Sequence, residues 1–177
     1  MDFIRAAQER SRAKLLLKAK REQQVKTKAA RVKHRADKER VKPLSKLLAE
    51  TQAVINRYVR LRDANLGCVS CDKPASWGGQ WHASHLHARG KSSKLRFNLW
   101  NINKSCSVCN AHLSGNLREY EPELIKRIGI DKFNWMIENA SIPTKYDPDY
   151  LRRMKMVFSK RCRIIEARAS GQRACRY

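Results

Sequence analysis

Apolar residues recur at helical spacing in three stretches of the chain. From Pro43 onward, Leu44, Leu47, Leu48, Ala53 or Val54, Ile55, Tyr58 and Val59 follow one another at three- and four-residue steps, on to Arg62. This predicts a helix with one buried face. Pro43 suits its first turn, and Asn65 to Gly67 ends it. A second α region is predicted over residues 117–139, interrupted near Gly129, with Phe133, Trp135 or Met136, and Ile137 as core positions. After a Pro-containing link at 142–148, a last helix is predicted over about 149–169. Leu151, Met154, Met156 or Val157, Phe158 and Ile164 or Ile165 form its apolar face.

The segment before Pro43 behaves differently. Phe3, Ile4, Ala7, Leu15, Leu16, Leu17, Val25, Ala29 and Val32 hold no single stripe, and the segment lacks Gly and Pro. Its wealth of Ala, Lys, Arg, Gln and Glu favours a long solvated helix that does not pack along its whole length. Between Cys68 and Gly115, Gly, Ser, Trp and Asn replace periodicity, as expected of a small irregular module containing β structure. There is no internal repeat. The chain thus reads as α-rich α+β in four parts: a basic helical arm (1–42), an amphipathic helix (43–66), a cysteine-bearing module (67–120) and a helical C-terminal region with a basic tail (121–177).

Charge changes this picture. The 177 residues carry 39 Lys+Arg against 16 Asp+Glu, a formal net charge of +23. Residues 1–42 hold net +10 and residues 151–177 net +8, whereas residues 43–150 hold only +5. Such an excess opposes compaction unless a polyanion screens it, and nucleic acid is the obvious one. With 42% hydrophobic residues there is material for one modest core. No apolar run is long enough to span a membrane, and the N-terminal residues have no secretory pattern, so a cytoplasmic location is expected.

Six cysteines in a chain without an export signal do not read as disulfides. Cys68-x2-Cys71 and Cys106-x2-Cys109 lie 34 residues apart. A two-residue gap lets a tight turn aim two thiolates at one ion, and two such turns complete a tetrahedron, which predicts structural Zn2+. Cys162 falls in a helix pattern and reads as packing, and Cys175 as a free thiol in the tail. Trp77, Trp81 and Trp100 read as core of the small module rather than stacking platforms.

Between the pairs lies Gln80-Trp-His82-Ala-Ser84-His85-Leu-His87-Ala-Arg89-Gly90, with three of the five histidines in six residues. In a strand His85 and His87 share one face and His82 takes the other. Such an imidazole has the pKa to take a proton from water beside a divalent ion, which in turn binds a scissile phosphate. Solvent-facing histidines that only contact phosphate are the plainer reading of the same spacing.

These residues carry a resemblance. Cys-x2-Cys, an internal His, an Asn, then Cys-x2-Cys-Asn is similar to the zinc-containing HNH (His-Me finger) endonucleases, whose site is a ββα-metal unit. More closely, Ala83-Ser-His85-Leu-His-Ala-Arg89-Gly90, Leu95-Arg-Phe97, Asn101-Ile-Asn103, Cys106-x2-Cys109-Asn110 and Leu113-Ser-Gly115-Asn116 resemble the phage NinG family. Tyr120 and Leu124-Ile-Lys-Arg-Ile-Gly129 fit it too; the similarity covers about residues 44–165. The resemblance implies a structure-specific endonuclease for branched recombination intermediates, such as D-loops and Holliday junctions. His85 would be the general base, and Asn101 the central Asn that holds the ββ loop and orients the base. Asn110 would bind a catalytic Mg2+ or Mn2+, with His82 and His112 as further candidate ligands and Asn116 a weaker one. Many HNH enzymes carry Asp or His before the base; here Ser84 stands there, a poor ligand for a hard cation.

Arg89, Lys91, Lys94 and Arg96 form a basic loop placed to contact the DNA backbone, and Arg152 and Arg153 on the last helix offer further phosphate contacts. A homodimer presenting two sites would match the two strands of a junction. Phage or host recombination proteins are expected partners, and a membrane is not. Two competing readings remain at this level. One is a non-catalytic zinc module that binds branched DNA as a recombination accessory; the other is an RNA-binding or ribosome-associated protein, which leaves the His/Asn pattern unused.

Overall fold

The computed structural model describes residues 2–171, with side chains from residue 12 onward. Cys175 lies outside the described residues. Two compact units divide at Pro43. The first is a single helix, α1 (Asp2–Arg40), whose described side chains are almost all exposed, Leu15 at 68% and Val25 at 67% included. That fits a sequence with no continuous apolar stripe.

The second unit starts at Leu44 and contains α2 (Leu44–Arg62), β1 (Trp81–His85), β2 (Ile102–Cys106), a π-turn (Val108–His112), α3 (Leu117–Ile128), α4 (Ile130–Asn139) and α5 (Pro148–Ala169). The boundaries expected at 66/67 and 120/121 therefore fall inside one compact unit. β1 and β2 pair antiparallel, with Trp81 opposite Cys106 and His85 opposite Ile102. A two-stranded sheet is marginal alone, and here it is packed between helices. Leu47, Ile55 and Val59 of α2 meet Leu151 and Phe158 of α5 over Ile102 and Phe97. A second cluster gathers Val69, Leu86, Leu95, Tyr120, Leu124 and Met136. All five residues of β2 are buried.

The helix faces differ from the sequence reading in detail. Leu44 is exposed, and Thr51 and Gln52 are buried in its stead. On α4 Met136 is the core residue, while Trp135 and Ile137 are exposed. On α5 the buried line is Leu151, Phe158 and Cys162, at seven- and four-residue steps, which leaves Met156 and Val157 facing solvent. Burial of Cys162 matches its reading as packing. Arg62, at the end of the α2 stripe, grips Asp63 through two hydrogen bonds of 2.6 and 2.8 Å. Its guanidinium also donates to the carbonyls of Leu99 and Ile102, both at 2.9 Å, fastening α2 to the start of β2. Among the described residues no helix is long and apolar enough to cross a membrane.

Candidate functional site

The two cysteine pairs come together. The Sγ atoms of Cys68, Cys71, Cys106 and Cys109 all lie within 4.8 Å of one another, and Cys71 Sγ is 3.8 Å from Cys106 Sγ. Four thiolates about 2.3 Å from one ion stand about 3.8 Å apart, so the cluster can hold a metal such as zinc. Both knuckles use backbone amides: Ser70 N and Cys106 N donate to Cys68 Sγ, and Cys109 N donates to Cys106 Sγ. Burial works against charge on Cys68, but hydrogen bonds from Cys106 N, the Ser105 hydroxyl and Ser70 N outweigh it and bring the thiol down to about 7. Burial pushes the thiols of Cys71 and Cys109 up. The cluster therefore needs a cation before all four can ionise. Trp77 and Trp81 meet each other edge to face, with ring centroids 5.1 Å apart, and pack half-buried against the cluster, in line with the packing role expected of them.

Beside the zinc-type cluster, β1 opens onto a cavity of about 440 Å3. α2 contributes Asn56 and Arg60 to its wall. β1 and the residues after it contribute His82 to His85, Ala88 and Arg89, and the π-turn side contributes Asn110, Ser114 and Gly115. Among the described residues no carboxylate lines it. Alternation along a strand separates His82 from His85, yet both line this one cavity.

His85 Nε2 lies 3.1 Å from the carbonyl of Arg96 and 3.4 Å from Gln52 Nε2. A carbonyl only accepts, so Nε2 carries the proton and Nδ1 is the basic nitrogen. Burial, with the nearby Arg89 and Arg96 guanidinium groups, brings this imidazole down to about 4 despite its bond to the Arg96 carbonyl, and it is neutral at physiological pH. On the other side of the cavity, the Asn110 amide meets His82 Nδ1 at 3.0 Å.

Asn101 is fully buried and spans the connection between the strands. Its Oδ1 accepts from His87 N at 2.8 Å, and its Nδ2 donates to the carbonyls of His87 at 3.1 Å and Leu95 at 3.0 Å. The floor of the cavity is a left-handed run, with φ of 49° at Ser114, 95° at Gly115 and 47° at Asn116. Two non-glycine residues there cost on the order of 1 kcal/mol each. Asn116 Nδ2 donates to Ser70 O at 2.6 Å, tying that floor to the first knuckle.

Not all sequence candidates meet at the cavity. His112 is exposed and outside its lining, and so are Lys91 and Arg153. Lys94 donates to Asn139 Oδ1 and lies over the Trp135 ring, while Arg152 pairs with Asp149. Arg96 is half-buried over Phe97, its carbonyl meeting His85, and it does not line the cavity. Asn56, Arg60 and Gln52 escaped the sequence reading. Their only signal was polar residues at four-residue steps along an otherwise apolar helix face.

The family model described as Bacteriophage Lambda NinG protein matches residues 3–168. "Protein ninG" of Escherichia phage lambda is 45% identical over 89 residues, covering 50% of this chain and 43% of its own. "Protein ninG" of Escherichia phage 933W is 38% identical over 117 residues, covering 60% and 57%, and that of Salmonella phage P22 is 43% identical over 90, covering 51% and 43%. The chain thus spans about half the length of the curated relatives it matches. No solved structure matches.

Proposed function

The chain belongs to the NinG family of phage proteins, and we propose that it is a metal-dependent endonuclease of HNH type that cuts branched DNA. The observation that supports this reading is the cavity itself. Two arginines, a neutral half-buried histidine and a His/Asn pair converge there, with no carboxylate among the described residues of its lining. Such a setting suits a phosphodiester anion beside a base.

In this reading Arg60 and Arg89 hold the non-bridging oxygens of the scissile phosphate. His85 Nδ1 takes a proton from the attacking water while Nε2–H stays on the Arg96 carbonyl. Asn101 keeps the β1–β2 connection in place, so that this carbonyl does not drift from the ring. His82 and Asn110, 3.0 Å apart, are the side chains that would hold a Mg2+ or Mn2+ ion; a bound ion would supply charge to stabilise the leaving oxygen. Ser84 is buried, and its hydroxyl adds little to that ligand set. Ser84, buried where many HNH enzymes carry a metal-binding Asp or His, favours a second reading, a branched-DNA-binding recombination accessory without chemistry.

One assay separates them. Purified protein is mixed with labelled linear, forked, D-loop and four-way DNA, with and without Mg2+ or Mn2+, wild type beside His85→Ala. Cutting of the branched forms that needs the metal and falls about 10^2- to 10^4-fold in the variant, with zinc content unchanged, is expected. Binding without scission under every divalent ion would leave the accessory reading, and normal cutting by His85→Ala would remove that residue from the base role.

A further inference from the structure

A second cavity, of about 520 Å3, lies where the chain entering α5 crosses the β1–β2 connection. Its walls include Tyr146, Tyr150, Phe97, Lys94 and Lys145. Tyr146 and Tyr150 are stacked, with ring centroids 6.2 Å apart and planes 17° from parallel. Phe97 braces Tyr146 edge-on at 4.9 Å, and the Tyr146 hydroxyl donates to Ser93 O at 2.7 Å. The inner ring is therefore fixed from two sides. The outer ring, Tyr150, is 45% exposed, and its backbone is held by the cap bond from Tyr150 N to Asp147 Oδ2 at 2.8 Å.

A rigid aromatic pair whose outer ring is wet, with the exposed Lys145 at its rim, does little for the core. It is the arrangement on which an unpaired base stacks while an ammonium group meets the backbone. The acidic residue in the lining, Asp147, is occupied as the helix cap. The platform is also joined to the first cavity: Phe97 and Ser93, which brace it, lie on either side of Arg96, whose carbonyl receives His85. A base held there would be positioned by the same short segment that positions the imidazole.

We infer that the Tyr146–Tyr150 cavity binds an unpaired nucleotide of the DNA substrate, which lets the protein tell a branch with unstacked bases from plain duplex. This rests on the reading of the protein as a DNA enzyme, but concerns binding and not scission. The test is run in EDTA, so that cutting plays no part. A fork with 2-aminopurine in its single-stranded arm and a linear duplex of equal length are titrated with wild type, Tyr150→Ala, Tyr150→Phe and Lys145→Ala.

Wild type should quench the 2-aminopurine and prefer the fork. Tyr150→Ala should lose the quench and about tenfold of fork affinity with duplex affinity unchanged. Tyr150→Phe should retain both, and Lys145→Ala should weaken fork binding while keeping the quench. Equal losses on fork and duplex, unchanged fork binding by Tyr150→Ala, or no binding of either DNA by wild type would overturn the inference. Because Tyr150 is exposed, a folded Tyr150→Ala protein is expected, and circular dichroism with zinc content checks it. Failure of the nuclease reading would show separately, as absence of cutting when the divalent metal is restored, and would leave the stacking result standing.

Discussion

A ring as enclosed as that of His85 gains nothing from carrying charge, and the sign of that preference can be measured. Its folded pKa is about 4, below the ordinary value of 6.5. Between those values the unfolded chain binds the proton and the folded chain does not, so stability falls as pH drops from about 6.5 towards 4. His87 is pushed down as well by burial and contributes in the same direction. Thermal midpoints across that range should decline for the wild type and decline less for His85→Ala; parallel curves would contradict the burial argument. If the proposed nuclease reading holds, cutting should likewise not fail through protonation of His85 until the pH nears 4. Asn101 was legible in the sequence as a motif position, but its three bonds across the loop were not, since they depend on how residues 86–101 close on themselves. Arg60 was not legible at all, because only the packing of α2 on the sheet brings it to the cavity that Arg89 also lines.

At the scale of elements, local spacing was readable and edges were not. A two-residue gap between cysteines dictates its own turn, so both knuckles could be read from the chain, and a three/four stripe dictates that α2 is amphipathic. Which residues on the border of a stripe are buried depends on the neighbour: α5 turns Cys162 to α2 and leaves Met156 outside. β1 and β2 have five residues each, too short to persist unaided. The Arg62–Asp63 clamp supplies part of what the pairing lacks, and a metal held by the four cysteines would supply more. Cys109→Ser should lower the thermal midpoint by roughly 10 °C or more, given several kcal/mol of lost metal binding, and release the ion on mild chelation. α2 and α5, whose apolar faces meet each other, should keep their helical signal longest. A variant that melts at the wild-type temperature would show the cluster to be dispensable.

For the molecule as a whole, the proposed site and most of the charge are divided. The second unit carries both cavities, whereas residues 1–42 hold net +10 on a helix with exposed sides. Removing residues 1–42 should flatten the dependence of DNA affinity on salt, by about 0.9 in log–log slope for each phosphate the arm had neutralised, and leave cutting intact at saturating DNA. An unchanged slope would mean that the arm does not touch the backbone. The 39 residues of α1 also set a ruler: at 1.5 Å per residue the rod is about 58 Å long. One turn of duplex takes about 34 Å, so the rod matches about 17 base pairs laid end to end. Duplex arms cut shorter than that offer it fewer phosphates, so the affinity gap between the full chain and the truncated one should shrink as they shorten.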